Sequence, residues 1–236
     1  MQSFRATTSF ACGRSRSQKL IEQRLGLLEK AVPVTDESAV IESFVLRVQL
    51  LARELQLVQK TIQEFDQQIA QAYAAHPDRE LFASLPGAGP VLGPRLLASM
   101  GSQRERFEAA RELQSYTGIA PVTKKSGGSC RIHRRYLCPK FHRQSFHEYA
   151  KESILWSRWA AAFYLQQRSK GSPHHTAVRA LAFKWQRIIF RCWQERKPYQ
   201  EQTCEAALRK SGSLLVGLFD RIEVGKSPWK NRAKKN

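Results

Sequence analysis

The sequence predicts a mainly α-helical protein. A long heptad helix precedes a helical domain that holds a helix-hairpin-helix-like element, a basic loop and a short β ribbon. Three observations carry this. From Ile41 the apolar positions run Ile41, Phe44, Val48, Leu51, Leu55, Val58, Ile62, Phe65, Ile69, Ala72, alternately three and four apart, which is a coiled-coil seam. From Pro139 onward three more segments have helical periodicity, Pro139–Ser153, Trp156–Ser169 and His174–Gln194. Between these regions lies Tyr116–Tyr136, rich in glycine, lysine and arginine, inside a span with no acidic residue from Glu112 to Glu148.

Each element has a local cause. Residues 1–18 are short-sided and unpatterned and read as a disordered lead-in. Residues 19–76 form a coiled-coil and oligomerisation region. Its first part, Lys19–Ala31, is a short amphipathic helix closed by Pro33, because proline cannot continue a helix. The seam helix opens at Thr35-Asp36-Glu37-Ser38, where Thr35 or Asp36 can cap it. A stripe this narrow needs a partner helix: Lys19–Ala31 folded back, or the same helix of a second copy. Phe44 and Phe65 on the seam argue against a regular two-stranded zipper.

Residues 77–200 form the second domain. In Leu81–Met100 a first helix ends at Leu85, Pro86-Gly87-Ala88-Gly89 reverses the chain, and a second helix starts near Pro90. Proline suits a first helical turn, and Gly87 and Gly89 would offer backbone N–H groups to a nucleic-acid phosphate at a helix N-terminus. The alternative is a packing unit without a ligand. Pro94 threatens to kink the second helix. Ala109–Thr117 reads as a short helix stopped by Gly118, and Ser129–Tyr136 as a short basic ribbon. On His174–Gln194 the stripe Val178, Leu181, Ala182, Trp185, Ile188, Ile189, Trp193 is core. Arg179, Lys184, Arg187 and Arg191 lie elsewhere on it and face nucleic acid or solvent. Residues 201–236 are a basic tail.

The formal net charge is +19 and the pI about 10.2, a balance that draws a protein to polyanions, nucleic acid above all. The excess is local. Between Val122 and Tyr199 there are 17 Lys/Arg against Glu148, Glu152 and Glu195, while charges from Ile41 to Pro121 nearly cancel. Cys12, Cys130, Cys138, Cys192 and Cys204 are odd in number and form no CxxC pair, which fits reduced thiols. No apolar run spans a membrane, and Met1–Gly13 lacks the apolar centre of a signal peptide. The expected location is the cytoplasm.

Ser126, on the hinge Ser126-Gly127-Gly128, carries the candidate chemistry. Lys124 and Lys125 precede it; Arg131, Arg134 and Arg135 follow. Glycine lets a backbone approach a ligand closely, and clustered cations stabilise an anionic phosphate and its transition state. The setting suits attack on a phosphate, docking of one, or simply a solvated basic loop. Other chemistry is weaker. Cys130, His133, Cys138 and His142 have a C-x2-H-x4-C-x3-H spacing open to zinc, but their cationic surroundings disfavour another cation, and no metal site is assigned. Glu148 and Glu152 share a helix face and read as ion-pair partners rather than as part of a two-metal centre. Cys130 has Arg131 beside it but no evident base.

Taken in order, Leu85-Pro86-Gly87-Ala88-Gly89-Pro90, Tyr116-Thr117-Gly118-Ile119-Ala120-Pro121, Ser126-Gly127 and Arg179-Ala180-Leu181-Ala182-Phe183-Lys184 resemble the C-terminal region of a family of bacterial insertion-sequence transposases, the DEDD-type recombinases. The resemblance runs from about Gln18 to Tyr199. It implies recombination of element DNA into a target guided by a structured RNA. A serine, here Ser126 with Ser129 as fallback, attacks a DNA phosphodiester. Lys124, Lys125, Gly127, Arg131, Arg134, Arg135, Lys184 and Arg187 contact nucleic acid alongside Gly87 and Gly89. It also implies homo-oligomers formed through 41–72. The family's magnesium belongs to an acidic domain that comes first. Residues 1–40 offer only Glu22, Glu29, Asp36 and Glu37, too few for such a domain, so a transposase fragment without its own cofactor is expected. The competing expectation is a non-catalytic nucleic-acid-binding, dimerising protein; a repair scaffold would need a second hairpin element, and only one is found.

Overall fold

The computed structural model describes residues 18–32 and 34–222. The lead-in through residue 17, Pro33 and the basic stretch 226–236 lie outside the described residues. Among those described are ten α-helices and one two-stranded sheet, so the mainly helical expectation holds. The chain separates into two compact units, 1–62 and 63–236, and the division falls inside the longest helix.

Helices α1 (Gln18–Glu29) and α2 (Ser38–Ala75) come first. Neither expected cap starts α2: Thr35 Oγ1 accepts the Glu37 N–H at 3.2 Å, and the helix begins only at Ser38. No residue of α2 is buried, and the seam from Ile41 to Ile69 stays 42–61% exposed.

The second unit is built around α8 (His174–Glu195), which buries Val178, Leu181, Trp185, Ile189 and Trp193. Helices α5 (Ala110–Tyr116), α6 (Lys140–Trp156) and α7 (Arg158–Ser169) pack against it, and α4 (Gly89–Met100) packs on α6. A buried tryptophan removes roughly 150–250 Å² from water, on the order of 4–6 kcal/mol of gross stabilisation at about 25 cal/mol/Å². Its indole N–H then needs an acceptor. Trp185 Nε1 donates to Ser153 Oγ at 2.8 Å, Trp193 Nε1 to the Gly101 carbonyl at 3.0 Å, and Trp159 Nε1 to Tyr199 Oη at 2.8 Å. Buried amides fix the rest: Gln114 Nε2 donates to the Phe183 carbonyl at 2.8 Å and Gln186 Nε2 to Thr117 Oγ1 at 2.6 Å.

Several boundaries move. The helix before the glycine turn, α3, is only Arg79–Ala83 and stops short of Leu85. Pro94 does not end α4, because the helix runs on to Met100 with the proline buried. The Ala88 carbonyl takes both the Leu92 and the Gly93 N–H, at 3.0 and 3.2 Å. Helix α6 continues to Trp156, and Ser157 caps α7 by accepting the Ala160 N–H. Helices α9 (Glu201–Lys210) and α10 (Val216–Phe219) close the fold.

Gly118 is fixed by its surroundings. Its φ is +72°, and a Cβ there would collide with the Sγ and Cβ of Cys138. Gly118→Ala should therefore lower stability by about 1–3 kcal/mol, from backbone strain together with overpacking, measured by urea denaturation. A second expectation concerns Glu201, whose carboxylate accepts from Ser157 Oγ and Tyr199 Oη, both at 2.7 Å. Burial raises its pKa, partly offset by these hydrogen bonds. A raised carboxyl binds its proton more tightly in the folded state, so its contribution is largest at low pH and falls as pH rises through the carboxylate range. Wild type should thus lose stability relative to Glu201→Gln between about pH 4 and neutrality, read as the difference between their urea midpoints at each pH.

Candidate nucleic-acid interface

The basic stretch folds as a hairpin rather than an open loop. Strand β1 (Val122–Ser126) pairs antiparallel with β2 (Ser129–His133) through the register Val122↔His133, Thr123↔Ile132, Lys124↔Arg131, Lys125↔Cys130, Ser126↔Ser129. The ribbon expected at Ser129–Tyr136 is its second half, and the lysines form the first. Gly127-Gly128 makes the two-residue turn with φ +54° at Gly127, a conformation that tight hairpins require at the first central residue and that glycine adopts without penalty. Every residue from Thr123 to Arg134 is exposed.

Cross-strand partners share a face and faces alternate along a strand, so this register sorts the candidates. Lys124, Ser126, Ser129, Arg131 and His133 stand on one face; Lys125, Cys130, Thr123 and Ile132 stand on the other. Ser126 is thus exposed and gathered with Lys124 and Arg131, while Lys125 is turned away. Ser129 lies directly across from Ser126, so position alone does not separate the two hydroxyls.

Beyond the hairpin the chain returns to the helical body. Arg135 is half-buried; its carbonyl accepts from Arg143 Nη1 at 3.4 Å, and its own Nε is buried without a hydrogen-bond partner. Arg134 stays exposed and comes within electrostatic range of Arg179 on α8, as does Arg143 on α6. Lys184 is not part of this grouping. About 100° of helical turn per residue rotates it roughly 140° from Arg179, and its Nζ lies over the Phe163 ring of α7 at 4.5 Å. Burial there, then Arg187 nearby, lowers its pKa. Arg187 is exposed beside it.

The glycine turn is only half open. Gly87 has φ +77°, and a Cβ on it would stand 2.5 Å from Trp156 Cδ1. The exposed Trp156 ring therefore screens Gly87. Gly89, the first residue of α4 at φ +56°, is open: a Cβ placed on it would meet nothing within 4 Å. Sequence periodicity gave no sign that Trp156 would reach across to this turn.

The spacing open to zinc does not converge. Cys130 and His133 lie on opposite hairpin faces, and Cys138 sits under Gly118 with Arg143 Nη1 3.2 Å from its sulfur. Among the described residues no three His, Cys, Asp or Glu side chains come together as metal ligands. The carboxylates of α6 are engaged separately. Glu148 pairs with Arg95 at 2.5 Å and accepts from Gln144, and Glu152 accepts from the Trp156 indole at 3.2 Å. No helix among the described residues is long and apolar enough to cross a membrane.

Residues 79–165, from α3 into α7 and including the hairpin, match the sequence profile of the family described as Transposase IS116/IS110/IS902. The chain is 30% identical over 201 residues to the transposase assigned to the IS117 mini-circle of Streptomyces coelicolor, covering 85% of this chain and 49% of that protein. It is 29% identical over 160 residues to an uncharacterized 42 kDa protein of insertion element IS900 from Mycobacterium paratuberculosis, covering 66% and 40% respectively. The chain spans about half the length, or less, of the curated relatives it matches. Over the matched residues the chain is homologous to the IS110/IS116/IS902 family of insertion-sequence transposases.

Proposed function

We propose that this chain is the strand-engaging part of an insertion-sequence transposase, with Ser126 as the nucleophile and Lys124 and Arg131 holding the phosphate it attacks. The observation that carries the reading is the hairpin register, which sets a hydroxyl beside a cross-strand pair of cations on one exposed face. In the step envisaged, Ser126 Oγ bonds to phosphorus while the bond from phosphorus to a sugar oxygen breaks. The serine proton passes to a base, and the leaving oxygen takes up a proton. The base is not on the hairpin: His133, four residues from the serine's register position, stands roughly 13 Å away at about 3.3 Å per residue. The described residues do not fit a magnesium ion either, since no carboxylate set converges, and no step here is assigned to one. Lys125 and Arg135 would contact flanking phosphates, and structured RNA would meet the same surface. Gly89, at the open N-terminus of the 12-residue α4, would dock a neighbouring phosphate as a helix-hairpin-helix does.

The α2 seam belongs to the same proposal. Its apolar row is exposed along α2, and a 3–4 spacing over this length pairs best with an equivalent helix, so the occupant is a second copy of the chain.

Three expectations test these readings. Incubated with element-junction DNA, alone and with a full-length relative, the protein should form a denaturant-resistant adduct that Ser126→Ala abolishes and Ser129→Ala leaves intact. Lys124→Gln/Arg131→Gln should reduce the slope of log affinity against log salt by about 2, near 0.9 per lost phosphate contact. An adduct that survives Ser126→Ala removes the serine assignment; no adduct under any condition, with salt-dependent binding retained, favours the non-catalytic binding protein. Separately, Leu51→Glu/Leu55→Glu should shift the protein from oligomer to monomer in sedimentation analysis, and an unchanged mass would exclude pairing through the seam.

A further inference from the structure

A second cationic cluster stands apart from the hairpin, on the helical body. On α6, Arg143, His147 and Lys151 recur every four residues; on α8, His175 and Arg179 do the same. Such spacing places each set along one helix face. The two stripes meet where the helices pack: the His147 and His175 rings lie 5.8 Å apart, and His174 and His175 5.0 Å apart. His174 Nδ1 is itself engaged, 2.9 Å from Tyr164 Oη of α7.

The charged groups acting on this cluster are cationic, with the phenol of Tyr136 the one group of opposite sign. His147 is influenced by His175, Arg179 and His174; His174 by His175, Lys151 and Arg168; Arg179 by Arg134, Arg143 and the phenol of Tyr136. No carboxylate is among them. The α6 acids that could have answered the charge are engaged with Arg95 and with the Trp156 indole. Arg143, His147 and Arg179 are also half-buried, so water screens them less than it screens a fully solvated face. The frame is stiff, because Trp185 of α8 bonds to Ser153 of α6 and stacks edge-on against Tyr149 with centroids 5.1 Å apart. Like charges held this way repel one another unless an anion settles among them.

We propose that Arg134, Arg143, His147, His175 and Arg179 form a phosphate-binding cradle for a nucleic-acid backbone, distinct from the hairpin face, whose grip tightens when His147 takes up a proton. The cradle rests on the reading of this chain as a nucleic-acid-binding protein. Arginine supplies planar, permanently charged donors for phosphate; histidine supplies the variable part. Burial first, and then the cations beside it, holds the His147 imidazole below its ordinary pKa. In the empty cradle His147 is therefore neutral near pH 7. A bound phosphate opposes both the repulsion and the loss of hydration, so it raises that pKa, and binding takes up a proton. By linkage the affinity falls as pH rises through the histidine range.

The test uses the full chain with two probes, a short DNA duplex and an RNA hairpin of equal phosphate number, titrated by fluorescence anisotropy over a range of salt at about pH 6 and about pH 8. Arg209, which pairs with Asp220 on the last helices, supplies a control of equal charge change. Arg179→Gln should weaken binding about tenfold and reduce the salt slope by about 1, whereas Arg209→Gln changes the slope far less. Wild type should bind more tightly at the lower pH, and His147→Asn/His175→Asn should lose that gain while keeping its affinity at the higher pH. If Arg179→Gln unfolds, Arg134→Gln, on exposed chain, serves in its place. Equal losses in the cradle and control variants, or a pH gain that survives loss of both histidines, would overturn the cradle. If hairpin variants alone change the salt slope, the cradle fails and the proposed function stands; if wild type binds neither probe, both fail. A cradle effect confined to one probe identifies whether DNA or RNA occupies it.

Discussion

The second unit depends on the burial of one helix face that carries polar atoms inward. Helix α8 brings Trp185, Gln186 and Trp193 into the core, and each must find a partner there or lose the stability its burial supplies. The partners are Ser153, Thr117 and Gly101, which lie on α6, just after α5 and just after α4. Apolar contact alone would tolerate some sliding of α8 over its neighbours; three directional bonds to three segments do not. This fixes the α6–α8 register that brings His147 to His175. It also holds the segment around Thr117, so that Gly118 can turn the chain over Cys138 at a positive φ. The hairpin leaves from just beyond that turn and returns to the cysteine beneath it, anchored at its base and free along its length.

Charge is distributed by the same logic. Where acids enter the fold they are met closely. Asp78 bonds Arg104 at 2.6 Å while that guanidinium lies 5.0 Å over Trp193, and Glu205 takes both Arg158 Nε and Nη2. Carboxylates are thus consumed in holding helices together. Cations of the hairpin and of the α6–α8 junction meet no carboxylate among the described ion pairs, and there the positive charge is a property of the surface rather than of the core. A polyanion would meet these two surfaces without disturbing the ion pairs on which the fold relies.

Much of this was legible in the sequence, for physical reasons. The stripe on α8 and the α2 seam are long periodic signals, and both appear as helices nearly where expected. Gly118 reads as a helix stop, and it is one, but its full reason, the sulfur of Cys138 beneath it, is a tertiary contact that no local pattern carries. The first strand of the hairpin is hidden in the sequence because Lys124 and Lys125 are poor strand formers; its cross-strand partner, rather than its composition, makes it a strand. Lys184 illustrates a different limit. Periodicity says which residues avoid the core but not what a flank meets, and this lysine lies over Phe163. The His147–His175 meeting is likewise invisible in one dimension, since it joins two helices separated by a third.

The hairpin proposed to engage DNA also constrains how chemistry could occur on it. Exposure on both faces makes Ser126 reachable by a duplex, and the same exposure strips it of neighbours. A serine hydroxyl at its ordinary pKa is a weak nucleophile until a base or metal activates it. Lys124 and Arg131 can hold a phosphate and oppose its gathering charge, but an ammonium and a guanidinium cannot accept the serine's proton at neutral pH. If Ser126 opens a phosphodiester, then the hairpin must insert into a setting that supplies an acceptor, whether from the DNA-bound assembly or from another copy of the protein. The exposed seam of α2 points the same way, because an apolar row of that length is stable in water chiefly when something covers it. An unscreened hydroxyl and an uncovered seam are together what a chain built to complete its site by assembly would present.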